Sequence, residues 1–400
     1  MNPSRTRPLS AAAGPRREGL DEAFFRADAD RIARLCHAMA ERFARGGRLI
    51  AVGASPGARS DVRHVAVEFV HPVIVGKRAL PAIGLADPDA AAALGDIAVA
   101  DDIAMAVGTD APDPAAEAAL ATARGRGCLT VAMRPSGADW DFDPPGDDPF
   151  VRQELAETLY HVLWELVHVF FEHRGLLEGR EARPAHDSGA SAFLYPFLAE
   201  QEHDLEAVMG DVRASVLMKA AEIAGLRAQT LTDNRDELVA AAAAIRDSTD
   251  AGGTVLALGN GGSATDAMDA VADLRAAPRG WPSRRALDLC EDAAILTAIA
   301  NDVGVEAIFA RQVIAYGREG DVALSFSTSG NSANVIAALA EARRRGLRTI
   351  AMVGYDGGRV AQEGLADIVV VTRSEHIPRI QEAQASAWHV VRELVEHASP

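Results

Sequence analysis

A glycine-rich segment at residues 259–267 has the composition of a phosphate-binding loop. It reads Gly-Asn-Gly-Gly-Ser-Ala-Thr-Asp-Ala, follows the apolar run 254–258 and precedes a helix-compatible stretch. In a strand–turn–helix arrangement, small residues let backbone N–H groups approach an anion, and the helix N-terminus adds partial positive charge. No lysine follows the glycines and the G-x-G-x-x-G spacing is absent, so this is neither a Walker loop nor a dinucleotide fingerprint. We call residues 259–263 the glycine loop and predict that it binds a phosphate of another kind of ligand.

Four hydroxyl side chains form a second cluster, which we call the hydroxyl loop: Ser327, Thr328, Ser329 and Ser332. The cluster follows an apolar run and precedes an alanine-rich helical stretch at 333–345. Hydroxyls and backbone N–H groups can satisfy phosphate oxygens without a fixed cation. An ordinary capped loop is the alternative, because Ser and Asn favour helix N-caps. In open α/β sheets the ligand crevice lies beyond the strand C-termini, so we expect both loops to line it.

The elements that must position these loops occur twice in the chain. The matching segments are 47–53 with 253–259, 128–133 with 347–352, and 151–154 with 379–382. The order of elements is also the same in both halves. Alternating strands and helices with short loops predict a parallel sheet covered on both faces. We therefore predict a fused duplication of one α/β domain.

The length of 400 residues favours two domains. Residues 1–18 contain Arg and Pro but no apolar segment, which predicts a disordered tail and not a signal peptide. We predict a first domain at 19–175, a linker at 176–190 that contains Gly, Pro and Ser, and a second domain at 191–400.

The composition excludes several classes of partner. The net charge of −17 repels nucleic acids and anionic membranes. The three cysteines include no C-x-x-C pair, which indicates structural thiols in a reducing compartment. No apolar run reaches the roughly 18 residues of a membrane span. We therefore expect a cytoplasmic protein that acts on a small molecule.

Four segments, in order, resemble the sugar isomerase (SIS) domain of bacterial phosphoheptose isomerases. They read GNGGSATDAMDAVADL, AILTAIANDVGVEAIFARQV, LSFSTSGNSANV and RIQEAQASAWHVVREL, and the resemblance covers about residues 195–397. It implies flavodoxin-like SIS domains, each a parallel sheet flanked by helices, usually assembled as tetramers. It also implies conversion of D-sedoheptulose 7-phosphate into D-glycero-D-manno-heptose 7-phosphate. The implied substrate contacts are Asn260, Gly261, Gly262, Ser263, Asn301, Asp302, Ser327, Thr328, Ser329, Ser332 and Gln381.

The resemblance further implies a zinc-type divalent metal ion. In the family it is bound by a His-x-x-x-Glu pair on the helix after the glycine loop and by a Gln and a His eight residues apart on the last helix. Here the second half has Asp269 and Asp273 in place of that His and Glu, whereas Gln381 and His389 remain. Asp is one methylene shorter than Glu, and the imidazole that zinc prefers is absent. The second half alone is therefore expected to bind metal poorly.

The first half contains the complete metal-site pattern. His64 and Glu68 are one helical turn apart, so both side chains lie on one face. Gln153 and His161 are eight residues apart on the last helix of this half. The resemblance assigns these four residues to the metal site, with Glu68 as the general base and His161 as the general acid.

The first half lacks the phosphate-binding residues. Its counterpart of the hydroxyl loop, residues 108–113, carries Asp110 and Asp113 where the second half has hydroxyls. Carboxylates at these positions would repel a phosphate. Pro56 also removes one N–H donor from the counterpart of the glycine loop. The first half is therefore not expected to bind a sugar phosphate by itself.

This division predicts a composite active site. The second half would bind the phosphate, and the first half would supply one metal ion, the base and the acid. A homodimer would then reproduce the family's tetramer of SIS domains. Two alternatives remain open: catalysis by the second half alone, with Asp273 as base and His389 as acid, or a non-catalytic sugar-phosphate sensor or assembly protein.

Overall fold

The computed structural model describes residues 17, 19–73, 77–109, 112–172, 204–276 and 280–397. The predicted linker at 176–190 and Asp110 lie outside these residues, as does the predicted tail at 1–18 except for Arg17. The described residues form two compact units, Gly19–Glu222 and a second unit from Ile223 onward.

The first unit is built on a parallel sheet. The elements in chain order are α1 (Leu20–Ala44), β1 (Leu49–Val52), α2 (Pro56–Val70), β2 (Ala82–Leu85), α3 (Ala90–Ile97), β3 (Ile103–Ala106), α4 (Pro114–Gly125), β4 (Leu129–Ala132), β5 (Trp140–Asp141), α5 (Pro149–Glu172) and then α6 (Leu205–Asp233). The strand order is β2-β1-β3-β4-β5, and every pair is parallel. Buried side chains of α1, α2 and α5 cover one face of the sheet, and those of α3 and α4 cover the other.

The second unit repeats this architecture. Its elements are α7 (Arg235–Asp250), β6 (Val255–Leu258), α8 (Gly262–Arg275), β7 (Ala286–Asp288), α9 (Ala293–Asp302), a 3-10 turn (Val305–Ala307), α10 (Ile308–Tyr316), β8 (Val322–Ser327), α11 (Ala333–Arg344), β9 (Arg348–Gly354), α12 (Gly358–Gln362), β10 (Ile368–Thr372) and α13 (Ile377–His397). The order β7-β6-β8-β9-β10 is again fully parallel. Both sheets have the flavodoxin-like 2-1-3-4-5 order. The predicted fold class is thereby confirmed.

The beginning of α6 packs with the first unit. Val208, Val212 and Val216 belong to the same hydrophobic cluster as the side chains of α1 and α5. The Lys219 ammonium also contacts the Glu165 carboxylate of α5. Residues 205–222, which the sequence-based division assigns to the second domain, are therefore part of the first unit.

The two units share hydrogen-bonding devices as well as strand order. Asp102 precedes β3 and accepts hydrogen bonds from the backbone N–H groups of Arg48 and Val99. Asp321 precedes β8 and accepts equivalent bonds from Thr254 and Arg318. Each unit also contains a Thr–Asp pair joined by the same three hydrogen bonds. The pair is Thr130 with Asp139 in the first unit and Thr349 with Asp367 in the second. These matched details support the predicted duplication.

Replacing Asp102 by asparagine is expected to destabilise the chain by about 2–4 kcal/mol, because the buried carboxylate also pairs with the Arg48 guanidinium at 2.7 Å. Burial acts to raise the pKa of Asp102, but the hydrogen bonds from Arg48 and Val99 lower it below its ordinary value. A lowered pKa stabilises the folded state above the unfolded value of about 4, and this contribution disappears as the pH falls through the folded value. Thermal unfolding between pH 7 and pH 2 measures both effects.

The matched control is Asp101→Asn. Asp101 is the neighbouring residue, and its ion pair with Arg45 is exposed. Exposed pairs contribute only about 0–1 kcal/mol, so this variant should unfold close to the wild-type temperature. Equal unfolding temperatures for the two variants would contradict the role given to Asp102.

Among the described residues, none of the helices has the length and apolar composition needed to cross a lipid bilayer.

Candidate functional site

The glycine loop and the hydroxyl loop meet at one edge of the second sheet. The glycine loop follows β6, the hydroxyl loop follows β8, and these two strands are parallel neighbours. The side-chain amides of Asn260 and Asn334 join the loops through two reciprocal hydrogen bonds of 2.9 Å each. The crevice expected from the sequence therefore has both loops on its border. Asn334, which closes this connection, was missed by the sequence analysis.

Both helices that start from these loops lack a side-chain cap. Gly261 is the N-cap of α8, with a φ of 58°, and Ser332 is the N-cap of α11. Neither helix N-terminus receives a side-chain cap hydrogen bond. The first N–H groups of a helix need partners outside the helix, and an anion is a favourable one. Two such N-termini side by side suit a phosphate.

Two hydroxyl groups of the hydroxyl loop accept hydrogen bonds from the backbone and can still donate their own protons to a ligand. The backbone N–H of Gly330 donates to Ser327 Oγ at 3.1 Å, and that of Asn331 donates to Ser329 Oγ at 3.2 Å. A hydroxyl that accepts one bond still has an O–H proton to donate. Gly330 is required at this point, since a Cβ there would lie 2.2 Å from the Gly357 carbonyl oxygen. The loop is thus fixed by backbone contacts while its hydroxyls remain donors.

The other predicted substrate contacts lie elsewhere in the second unit. Asn301 and Asp302 end α9, where both are exposed and the Asn301 amide donates to Asp302 at 2.8 Å. Within the described part of the chain, no hydrogen bond joins them to either loop. Gln381 is buried on α13, which packs against α8.

The second unit also assembles the acidic cluster of the alternative mechanism. His389 Nε2 lies 3.6 Å from an Asp269 oxygen and 3.9 Å from Asp273 Oδ2. All three are buried, and their ligand atoms lie within 4.8 Å of one another. The Trp388 indole N–H donates to Asp273 Oδ2 at 2.9 Å. Burial, with the neighbouring Asp269 charge, raises the pKa of Asp273 to about 8, which favours the protonated carboxyl at neutral pH.

In the first unit, helices α2 and α5 bring a second group of ligand-type side chains together. The Nε2 atoms of His64 and His161 are 3.2 Å apart, and Glu68 Oε1 lies 3.8 Å from His64 Nε2. His64, Glu157 and His161 have ligand atoms within 4.8 Å of one another, and all are buried. His64 and His161 thus meet as the sequence analysis expected. Glu157 was missed, although its position four residues before His161 puts it on the same helical face.

The far side of the His64 ring is also occupied. The Tyr160 hydroxyl lies 3.2 Å from His64 Nδ1 and donates to Asp61 at 3.2 Å. The Gln153 amide donates to the other Asp61 oxygen at 3.4 Å. Metal-binding histidines commonly have such a partner at the second nitrogen, which fixes the ring and its tautomer. Asp61 was missed although it lies three residues before His64 and therefore on the same helical face.

The electrostatics of this group suit a divalent cation. Burial, and then the neighbouring His161, lower the pKa of His64 well below its ordinary value. A neutral imidazole is the form that binds metal. The neutral imidazole of His64, together with the His161 ring and the Glu68 and Glu157 carboxylates, fits the ligand preferences of a zinc-type ion.

Comparison with known proteins identifies the class of the fold. The SIS domain family matches residues 220–354. The whole chain also resembles the tagatose-6-phosphate ketose/aldose isomerase structure from Escherichia coli, with a TM-score of 0.56 and 15% identity over 98% of this chain and 97% of that one. The protein is therefore an SIS-domain α/β protein.

Sequence relatives define the family more narrowly. The phosphoheptose isomerase of Pelodictyon phaeoclathratiforme is 44% identical over 177 residues, which are 43% of this chain and 83% of that protein. That of Chlorobaculum tepidum is 42% identical over 185 residues, or 45% of this chain and 88% of that protein. The chain belongs to the phosphoheptose isomerase family. This confirms the resemblance and the class of enzyme predicted from the sequence.

Proposed function

We propose that the protein converts D-sedoheptulose 7-phosphate into D-glycero-D-manno-heptose 7-phosphate. Family membership supports this reaction. The observation that carries it is the junction of the glycine loop and the hydroxyl loop by the Asn260–Asn334 amide pair. It brings two helix N-termini without side-chain caps and a set of hydroxyl donors to one sheet edge, an arrangement suited to the phosphate of the substrate.

The phosphate is bound by the second unit. Ser327, Ser329 and Ser332 donate hydroxyl protons to its oxygens, and Asn260, Gly261, Gly262, Ser263 and Thr328 complete the binding loops. Asn301, Asp302 and Gln381 contact the sugar, as the family pattern implies. A neutral set of donors suits a chain whose overall charge is strongly negative, because it needs no fixed cation.

The metal set lies in the first unit. His64, Glu68, Gln153 and His161 hold one zinc-type ion, and their burial and the lowered pKa of His64 support that assignment. When bound, such an ion polarises the sugar carbonyl and stabilises negative charge on its oxygen.

The reaction itself is a proton shift between adjacent carbons. Glu68 takes the proton from the carbon beside the ketone and returns it to the neighbouring carbon, which was the carbonyl carbon. His161 moves the proton between the two oxygens, so that the ketose becomes an aldose through an enediol. A carboxylate and an imidazole in a buried site are suitable general bases and acids for these steps.

In this proposal the phosphate-binding residues of the second unit and the metal-binding residues of the first unit act on one substrate molecule. The proposed active site is therefore composite. The proposed domains follow the sequence-based division, 19–175 and 191–400 with the linker 176–190, except that residues 205–222 belong to the first unit. The alternative places the chemistry on Asp273 and His389, and the buried acidic cluster around His389 favours it. Against this alternative, Asp273 already accepts the Trp388 indole bond and its pKa is raised.

A second copy of the chain completes the assembly, giving a homodimer with four SIS-type units. An exposed apolar surface on the second unit supports this assignment. Helix α9 has the apolar sequence AAILTAIAND yet contains no buried residue, and Val303 and Val305 beyond it are 58% and 63% exposed. The cytoplasm is the proposed compartment, consistent with the free cysteines Cys36, Cys128 and Cys290.

The deciding experiment is an assay of the purified full-length chain with D-sedoheptulose 7-phosphate, combined with metal analysis. Aldose formation by a chain that contains one divalent ion supports the proposal. Binding of the sugar phosphate without turnover, by a chain loaded with metal, would overturn it in favour of a sensor.

A further inference from the structure

Asp113 makes an unusual set of hydrogen bonds in the first unit. It is the N-cap of α4, and its Oδ1 accepts from the Ala116 N–H at 3.1 Å, as an ordinary capping residue does. Its Oδ2 accepts from the N–H groups of Ala54 at 2.6 Å and Ser55 at 3.1 Å. These two donors lie in the loop between β1 and α2, almost sixty residues earlier in the chain. One carboxylate therefore connects two loops at the edge of the first sheet.

The carboxylate is held as a buried anion. Asp113 is only 7% exposed. Burial acts to raise the pKa of Asp113, but the N–H bonds from Ala54, Ala116, Ser55 and Ala115 lower it below its ordinary value. The expected repulsion between this carboxylate and a phosphate is therefore only part of its effect. Asp113 already has the partners that a bound anion would have.

The equivalent place in the second unit is arranged differently. Ser332 occupies the N-cap position of α11 as Asp113 does in α4. There the two loops are connected by the neutral Asn260–Asn334 amide pair, and neither helix N-terminus has a side-chain cap. In the first unit both N-termini are capped, by Asp113 and by the Ser55 hydroxyl, which accepts from the Ala58 N–H at 3.2 Å.

An open surface groove of about 570 Å³ lies beside Asp113. Its lining includes Asp113 and Ser55, and the other lining residues are alanines and prolines. Removal of the carboxylate would therefore leave the N–H groups of two loops facing a space large enough for a phosphate monoester.

We propose that the Asp113 carboxylate is an internal anion that takes the place of a bound phosphate in the first unit. Its partners are the backbone N–H groups of Ala54, Ser55 and Ala116, which we call the cradle. Although Pro56 removes one donor, the N–H groups of Ala54, Ser55 and Ala116 still converge on one anion, and the Asp113 carboxylate excludes phosphate from them. The chain therefore binds phosphate only through its second unit. This inference concerns anion binding by the first unit and does not depend on the reaction assigned above.

The test is the stoichiometry of inorganic phosphate binding to the full chain, measured by equilibrium dialysis at equal metal content. We expect one phosphate per wild-type chain and one more in Asp113→Ser, which installs the residue found at the equivalent position of the second unit. Asp113→Asn is the matched control. Its amide has nearly the same size as the carboxylate and should keep the cradle filled, so it should gain no phosphate.

Asp113→Gly provides a second opening variant if the serine variant does not fold, because glycine is tolerated at helix N-caps. No added phosphate in a folded Asp113→Ser or Asp113→Gly chain would overturn the inference, as would two phosphates on the wild-type chain. In the Ser327→Ala/Ser329→Ala background, opening Asp113 should still add one phosphate. A gain there supports the inference even when the assignment of the second-unit loops fails.

Discussion

Replacing His64 by alanine is expected to remove the divalent metal from the chain and to lower the turnover of D-sedoheptulose 7-phosphate by about 10²–10⁴-fold. The His64 ring contacts His161 at one nitrogen and Tyr160 at the other, so its loss disconnects both sides of the buried cluster. Metal per chain, measured by atomic emission, and steady-state kinetics with the sugar phosphate check this result. The Michaelis constant should change less than the turnover number.

The control is His389→Ala, which removes the imidazole of the buried cluster in the second unit and is the counterpart of His161. This variant should keep its metal, since His64 and Glu68 are untouched. The opposite result, with metal and turnover lost in His389→Ala and retained in His64→Ala, would assign the chemistry to Asp273 and His389. An unfolded His64→Ala chain is distinguished from a metal-free one by circular dichroism, and Glu68→Gln then replaces it as the milder variant.

Replacing Ser327 and Ser329 together by alanine is expected to raise the Michaelis constant by about 10²- to 10⁴-fold, because hydrogen bonds to a charged group contribute about 1.5–3 kcal/mol each. Metal content should stay at the wild-type level, since the proposed metal ligands lie in the first unit. Kinetics with the sugar phosphate, together with direct binding of inorganic phosphate, separate a binding defect from a chemical one.

Ser325→Ala is the control for this pair. Ser325 lies in the same strand, two residues before the loop, and its buried hydroxyl donates to the Ile350 carbonyl at 3.3 Å. Its loss should reduce stability slightly and leave the Michaelis constant unchanged. If Ser325→Ala raised the Michaelis constant as much as the double variant, the effect would come from the strand and not from the hydroxyl loop.

The sequence predicted the fold well because its signals are local and repeated. Apolar runs such as 253–259 recur at matching places in both halves, and glycines mark the strand ends, so a duplicated parallel sheet follows from pattern alone. The meeting of the glycine loop and the hydroxyl loop also follows, because the C-terminal ends of neighbouring parallel strands share one sheet edge.

Several features of the candidate site depend on three-dimensional packing and could not be predicted. The Asn260–Asn334 pair joins residues 74 positions apart and requires the observed register of β6 and β8. The bond from Trp388 to Asp273 similarly depends on how α13 packs on α8. Asp61 and Glu157 did carry a signal in their helical spacing, but neither belongs to the family pattern that directed attention to His64 and His161.

The role of Asp113 illustrates the limit of reasoning from charge alone. Its alignment with Ser332 is apparent from the sequence, and so is the repulsion of a phosphate. Its four backbone N–H donors are not apparent, because those of Ala54 and Ser55 come from a loop distant in the chain. The sequence therefore suggested an unfavourable charge, whereas the structure shows a well-satisfied one.

The two connections between loops differ in how they respond to acid. The Asn260–Asn334 pair contains no titratable group, so this connection between the two loops is not itself altered by a change of pH. The corresponding connection in the first unit is a carboxylate, and its backbone N–H partners lower its pKa, so it keeps its charge to lower pH than an ordinary aspartate does. We therefore expect any change of activity around neutral pH to come from groups other than these two connections, such as Asp273, whose pKa is raised to about 8.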